Sequence, residues 1–545
     1  MTNQNDFTLA GAPSANTSAQ NRWLFWACFA SLIATSVAFS TRMALLGKWG
    51  DQFNLSGEQV GQIQGAGIWP FAISIILFSL VVDKIGYKTA MIFAFLAHIA
   101  YGIIVVCAPM ALAGAGASQT EIDAGRKTAY WLLYGGSVIL GLSNGTVEAV
   151  INPVVATMFS REKVRWLNIL HAGWPAGLVG GGLLVVALTG LDWRWTIAVI
   201  FIPAIIYGPM MIFAKFPPNE RVAAGHSYLG MLKEFGILAS ILVVPLVIRQ
   251  LCLVFLPDEL FKQMVAGMSV ATLIQLLVSL AIVIGFGIVV RGSPGRLMLF
   301  VMMLIMMPLA TTELGTDGWI TALMEQPLKA IGLHAVLVLV YTSLIMMLLR
   351  FFAAGPIAHK LSPLGLLAIS AALAACGLFL MSVSTGWAIF AAATVFALGK
   401  TFFWPTMLGV VSEQCPKGGA LTINAVGGMG MLAVGVLGGP FIGLLQDNAV
   451  ERHLLTEQPA IHKVVTVEKS GMFGKYEAVD QDKAKTLNKE QKDTLDKIDA
   501  KAKTGALATM AIFPCVMLGG YLLMILYFRS KGGYKPVVLT KEAGG

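Results

Sequence analysis

Charge is what this sequence has least of. Only 12% of its 545 residues are Asp, Glu, Lys or Arg, against roughly 25% in ordinary soluble domains. With 57% hydrophobic residues and a mean hydropathy of +0.75, a soluble globular chain is excluded and a polytopic membrane protein remains. Cysteine is also sparse: Cys28, Cys107, Cys252, Cys376, Cys415 and Cys515 lie scattered in or beside apolar runs. They form neither a disulfide framework nor a CxxC metal site, so no metal is expected. The N-terminus has no basic n-region and no short apolar core ending in a cleavage site, so residues 1–20 read as a disordered cytoplasmic tail before a retained first helix. There is no GxxxxGK[ST] loop to bind a nucleotide phosphate, and no recognisable set of nucleophile, base and oxyanion donors. Neither a cofactor nor an enzyme is expected. The net charge of +9 does not imply nucleic acid, because the basic residues sit in short turns between apolar runs, where they orient a protein in the bilayer.

Apolar runs near the roughly 20 residues that span a bilayer fall at 23–49, 59–82, 88–112, 128–159, 164–188 and 195–214. Two more follow at 235–255 and 268–290, and six others begin near 296, 331, 363, 385, 420 and 505. The expectation is an all-α polytopic membrane protein of about fourteen spans. It divides into an N-terminal six-helix bundle (21–215), a cytoplasmic connection with an inserted helix pair (216–295), a C-terminal six-helix bundle (296–530) and a cytoplasmic tail (531–545). Charge supports that count. DKIGYK (83–88), SREKVR (160–165), KFPPNER (215–221), RGSPGR (291–296), AHK (358–360) and RSKGGYK (529–535) all fall on one face. That face is cytoplasmic by the positive-inside rule, which places both termini inside a plasma (cytoplasmic) membrane. A hydrophilic insertion, 447–503, then lies outside. Its second half has acids and lysines at helical spacing and reads as a solvated helix, either a lid over the external mouth or an exposed decoration.

The organising stretch is GLSNGTVEAVINPVVATMFSREKVRWLNILHAGWPAGLVGGG, 141–182. Asn144, Glu148 and Asn152 stand four apart on one helical stripe, and Asn168, His171 and Trp174 make a similar stripe on the next helix. An ionisable group at mid-membrane depth is costly and by default faces a cavity or a partner. The charge of Glu148 would be set by a contest between desolvation and a nearby cation, for which Arg42 and Lys400 are the candidates. Glu313 and Asp317 share a face nearer the external end, with Asp317 expected at the surface. Lys400 stands one turn before Trp404 and neutralises Glu313 or Glu148, binds an anionic substrate, or snorkels. Trp69, Trp174 and Trp404 suit stacking on a sugar ring. Asn144, Asn152, Asn168 and Asn424 can donate and accept towards a hydroxyl-rich solute, or tie helices together.

The chain resembles itself. A helix reaching Asn152-Pro153, a turn and a Gly-rich helix opening Leu167-Asn168-Ile169 are answered by Trp404-Pro405, a turn and Leu421-Thr422-Ile423-Asn424. Parallel halves of this kind form a pseudo-twofold pair with a site between them. The turn Asp83-Lys84-Ile85-Gly86-Tyr87-Lys88 is similar to the cytoplasmic signature of the major facilitator superfamily, with Ser79 in place of the usual first glycine. Within that superfamily, Glu148 four residues before Asn152-Pro153 resembles the fucose permease, sugar:proton symporter branch. What the resemblance implies is the MFS fold, a cytoplasmic gate at Asp83, Lys84, Gly86 and Lys88, and a proton-coupled sugar carrier with Glu148 as protonation site. Thr41-Arg42-Met43 stands where the branch's fucose permease has an acid. The expected function is secondary active transport of a small polar solute by a monomer, driven by a proton gradient. An exporter or exchanger of an organic anion or amphiphile is the alternative, and a non-transporting membrane sensor the alternative of another class.

Overall fold

The computed structural model describes residues 15–539, apart from 115, 266, 472 and 473. Among them, fourteen helices are long and apolar enough to cross a bilayer. The first six are α1 (Gln20–Phe53), α2 (Gln59–Ile85), α3 (Tyr87–Ala111), α4 (Gln119–Met158), α5 (Lys163–Ala187) and α6 (Trp193–Phe213). A pair follows, α7 (Tyr228–Phe255) and α8 (Val270–Val289). The last six are α9 (Leu297–Thr321), α10 (Val336–Ile357), α11 (Pro363–Val383), α12 (Ala388–Gln414), α13 (Pro416–Glu457) and α14 (Gly505–Ser530).

The spans alternate in direction, so the starts of odd spans and the ends of even ones share a face. Trp23 at the start of α1 donates to Met210 O near the end of α6 (3.2 Å). Beyond α14, the Val537 amide donates to Glu413 O at the end of α12 (2.8 Å). Tyr534 donates to the Glu413 carboxylate (2.7 Å); burial and that carboxylate push its phenol up, so it stays a donor. Both termini leave from this face. The inserted pair is peripheral: only 6% of the apolar window of α8 is buried, so its side chains face the surroundings as lipid-exposed helices do.

Several spans are interrupted where a backbone carbonyl has lost its donor. Proline has no N–H, so the carbonyl four residues earlier must be satisfied from elsewhere. Pro153 in α4 leaves Ala149 O, which Asn424 Nδ2 of α13 takes up at 2.9 Å. Pro175 leaves His171 O where α5 breaks, and Pro405 leaves Thr401 O where α12 breaks. Arg350 serves both, with Nη1 on His171 O at 2.9 Å and Nε on Thr401 O at 2.5 Å. Close helix crossings rest on glycine. A Cβ at Gly377 of α11 would sit 2.4 Å from the Phe396 backbone, and one at Gly399 of α12 would sit 2.3 Å from Ala374 N.

The structure changes three expectations. The tail expected over 1–20 falls mainly outside the described residues, but 15–20 are helical and continuous with α1. Nothing in that stretch breaks a helix, so it extends the first span. The second half of the insertion, expected as one solvated helix, is two helices. After α13 come a short helix Pro459–Val465, a hairpin of Thr466–Gly471 against Gly474–Val479, a helix Gln481–Lys485, and a helix Lys489–Met510 that leads into α14. Asn488 caps that last helix and breaks the expected continuity, accepting from the Gln491 amide (2.8 Å). Leu454, Ile461, Val465, Leu487 and Ile498 give the insertion an apolar core of its own. Finally, Asp317 is partly buried, its side chain 8% exposed rather than free at the surface, for the reason given next.

Candidate functional site

Between the two halves lies a small cavity of about 20 Å3, room for a water molecule and not for a solute in the form described. Its polar and aromatic lining comes from Glu148 (α4), His171 and Trp174 (α5), Glu313 (α9), Arg350 (α10) and Trp404 (α12), with Phe71 and Met431 closing the sides. Both members of the charged pair sit in π-helical turns, Glu313 in Thr311–Gly315 and Arg350 in Leu349–Ala353. Such turns widen the helix by one residue and frequently mark functional sites. Arg350 Nη2 donates to Glu313 Oε1 at 2.7 Å, and the Trp404 amide donates to Glu313 Oε2 at 3.1 Å. The guanidinium thus binds one carboxylate and two proline-freed carbonyls at once. Only its fork geometry allows this.

Glu148 is placed differently. Its Oε2 accepts from Asn152 Nδ2 at 2.6 Å, and Asn152 Oδ1 meets His171 Nε2 at 2.9 Å. Because an amide oxygen only accepts, His171 Nε2 is the donor in this arrangement. Glu148, Asn152 and His171 therefore form one chain of hydrogen bonds along a cavity wall. Among the described residues Glu148 has no cation within salt-bridge distance. The cavity lining holds two carboxylates and one guanidinium, and Glu313 takes the guanidinium.

The remaining residues singled out from the sequence lie outside the cavity lining. Arg42, expected as a partner for Glu148, instead donates to Ile63 O (3.0 Å) and Gln64 O (3.1 Å). These carbonyls end the first part of α2, where the helix breaks at Gly67, and a helix end needs donors. Gly67 makes room for this, since a Cβ there would lie 2.4 Å from the Arg42 guanidinium carbon. Lys400, the other expected partner, pairs with Asp317, fully buried on its side of the contact. A buried lysine requires an anion, which is why Asp317 is drawn inward. Asn144 Oδ1 bonds His98 Nε2 at 2.9 Å, and His98 Nδ1 reaches the Tyr207 hydroxyl at 2.7 Å. Asn168 donates to Val164 O (2.8 Å) and across the halves to Thr406 Oγ1 (3.1 Å). Asn424 serves Ala149 O as described, and Trp69 packs edge-on against Phe255 of the inserted pair. Arg350 escaped the sequence reading; a lone arginine inside the apolar run 336–357 is the signal that would have found it.

On the face of the termini the halves are tied together. Lys163 Nζ at the start of α5 bonds Glu220 Oε2 (2.6 Å) and Ser412 O of α12 (3.3 Å). Asp83, in the last turn of α2, pairs with Arg221 at 2.5 Å. Arg221 and Asn219 in turn lie against Gly419, whose φ is +53° and where a Cβ would lie 2.9 Å from Asn219 Oδ1, leaving no room for a side chain. Lys84 lies over the Tyr228 ring at 4.9 Å. Gly86 ends α2 with φ +84°, a conformation suited to glycine, and Lys88 is exposed. Hydrogen bonds crossing between the halves cluster at the cavity and on this side of it.

The sequence matches the profile of the Major Facilitator Superfamily over residues 24–440. No curated protein matches it. Among solved structures, the fucose:proton symporter FucP of E. coli, in its outward conformation, aligns at 14% identity with a TM-score of 0.54, covering 92% of this chain and 99% of that one. A proton:xylose symporter, XylE, aligns at 13% identity and 0.53, covering 93% and 95%. The human organic anion transporter MFSD10 aligns at 12% and 0.52, covering 92% and 99%. At these identities the likeness is one of fold.

Proposed function

The chain belongs to the major facilitator superfamily, and we propose that it is a secondary active transporter that moves a small polar solute, a sugar or related metabolite, together with protons. The observation that carries this reading is the unbalanced cavity: two carboxylates border it, and the one guanidinium is committed to Glu313. A bare carboxylate in a low-dielectric wall is costly unless it is paired or protonated. Glu148 meets that cost by taking a proton from the side to which the cavity opens and releasing it to the other. His171 and Asn152 hold the carboxylate in place through the stages of the exchange.

The solute class follows from the rest of the lining. Trp174 and Trp404 offer ring faces, and His171 and Glu148 offer polar groups, which together suit a compact hydroxyl-bearing molecule. Arg350 alone among the lining groups would suit an anion, but its donors are taken by Glu313, His171 O and Thr401 O. That disfavours the organic-anion reading, although MFSD10 shares the fold.

In the form described here Lys163 ties the two halves together on the face of the termini. Rocking one half against the other breaks the bonds that cross between them, Asn424 to Ala149 O, Arg350 to His171 O and Lys163 to Ser412 O, and frees the cavity on the other side. Uptake of a panel of sugars, polyols and carboxylates into proteoliposomes, with and without an imposed pH gradient, tests the proposal. A hydroxyl-rich solute accumulated only with the gradient is expected. Accumulation of an organic anion by exchange, with no response to the gradient, would replace this reading with the other.

A further inference from the structure

The insertion between α13 and α14 brings three side chains from three separate elements to one point. Glu451 is on the helix Gly439–Glu457, His462 on the helix Pro459–Val465 and Glu477 on the hairpin strand Gly474–Val479. His462 Nε2 stands 3.3 Å from Glu451 Oε1 and 3.3 Å from Glu477 Oε2, and the three ligand atoms all lie within 4.8 Å of one another. We propose that Glu451, His462 and Glu477 form a binding site for a divalent transition ion of the Zn2+ type.

Hydrogen bonding accounts poorly for the arrangement. A single imidazole N–H cannot point along a straight line to two carboxylates, and charge-assisted N–H···O contacts run about 2.7–2.9 Å. The neighbouring pairs of the same subdomain do fall there: Lys501–Glu457 at 2.8 Å, Lys475–Glu468 at 2.7 Å and His453–Glu457 at 2.9 Å. The His462–Glu451 contact is a long hydrogen bond at 3.3 Å, and one imidazole N–H serves only one of the two carboxylates well. Zn–N and Zn–O bonds of about 2.0–2.2 Å arranged tetrahedrally place neighbouring donors roughly 3.3–3.5 Å apart. Both contacts match that edge, and the third needs only a small rotation of the exposed Glu477 carboxylate.

The donor set also fixes the class of ion. One imidazole and two carboxylates suit Zn2+ and its first-row neighbours, whereas Ca2+ and Mg2+ take all-oxygen shells of six or more ligands. Two carboxylates balance a divalent charge, and His462 supplies the neutral lone pair of Nε2. The His462 side chain is 12% exposed and Glu477 52%, so the ion has a route in and keeps one position for water. Bound there, it joins the hairpin to the end of α13, the span that carries Met431 in the cavity wall.

The test uses the full chain in detergent, stripped with a chelator and titrated with ZnCl2 by calorimetry. One equivalent is expected to bind. Glu477→Gln and His462→Gln are each expected to weaken binding by more than the roughly 10–100-fold that loss of an outer-shell partner costs, and His453→Gln should leave it unchanged. Glu477 is half exposed, so its variant decides the matter even if His462→Gln does not fold. Absence of a zinc isotherm in the wild type would overturn the proposal. So would an isotherm that survives Glu477→Gln, one that is lost with His453→Gln, or displacement of zinc by equimolar CaCl2.

Discussion

At the level of single residues, the cavity is a problem in charge balance that two side chains solve in different ways. Glu313 is held by Arg350, and the same guanidinium closes two carbonyls that prolines have left open. Removing one member of such a buried pair costs about 3–5 kcal/mol, because the other stays behind unpaired. Arg350→Gln is therefore expected to lower the thermal unfolding midpoint of the purified protein sharply, and Glu313→Gln added to it should recover part of the loss. If the double variant is no better than the single one, the carboxylate is not what Arg350 stabilises. The aromatic walls add a second expectation. A ring contact is worth about 0.5–1.5 kcal/mol, so Trp404→Ala should raise the KM for the solute by up to about tenfold, and because the ring is buried in the core it should also cost about 3–5 kcal/mol of stability. An unchanged KM would remove stacking from the account.

At the level of helices, the proline breaks explain how the halves hold together when the face of the termini is shut. Asn424 reaches from α13 to the carbonyl that Pro153 frees in α4. Asn424→Ala would leave Ala149 O buried without a donor, a cost of about 1–3 kcal/mol that falls on the closed form alone. The expected outcome is a population shift, read as faster maleimide labelling of a cysteine placed at the buried Ala156 from the side of the termini. Asp83→Asn should act in the same direction by releasing Arg221 from the last turn of α2. No change in labelling for either variant would mean that these bonds do not govern closure. The pairing of these groups is the part of the site that the sequence could not reveal. Polar residues inside apolar runs were visible, and Glu148, His171, Trp174, Glu313 and Trp404 do line one cavity. Arg42 and Lys400 were equally visible, yet their partners were not. Arg42 answers a helix break at Gly67 and Lys400 answers Asp317, and both depend on how helices rotate against one another. Spacing along one helix carries no record of that rotation.

At the level of the whole molecule, fourteen spans were legible because a bilayer leaves few choices: every backbone polar group must be satisfied within a helix, so hydropathy and turn charge mark out the architecture. The insertion was less legible because water imposes no such restriction, and its lysines and acids masked the apolar side chains that give it a core. It packs beside the C-terminal half through Lys489–Met510, which lies along α11 and the outer part of α13. The account of transport rests on Glu148, a carboxylate with no ion pair among the described residues. Solute counterflow and pH-gradient-driven uptake, measured in the same proteoliposomes for wild type and Glu148→Gln, test it most directly. Counterflow should persist in the variant while accumulation driven by the gradient falls to the level seen without one. Gradient-driven accumulation equal to that of the wild type would contradict the account.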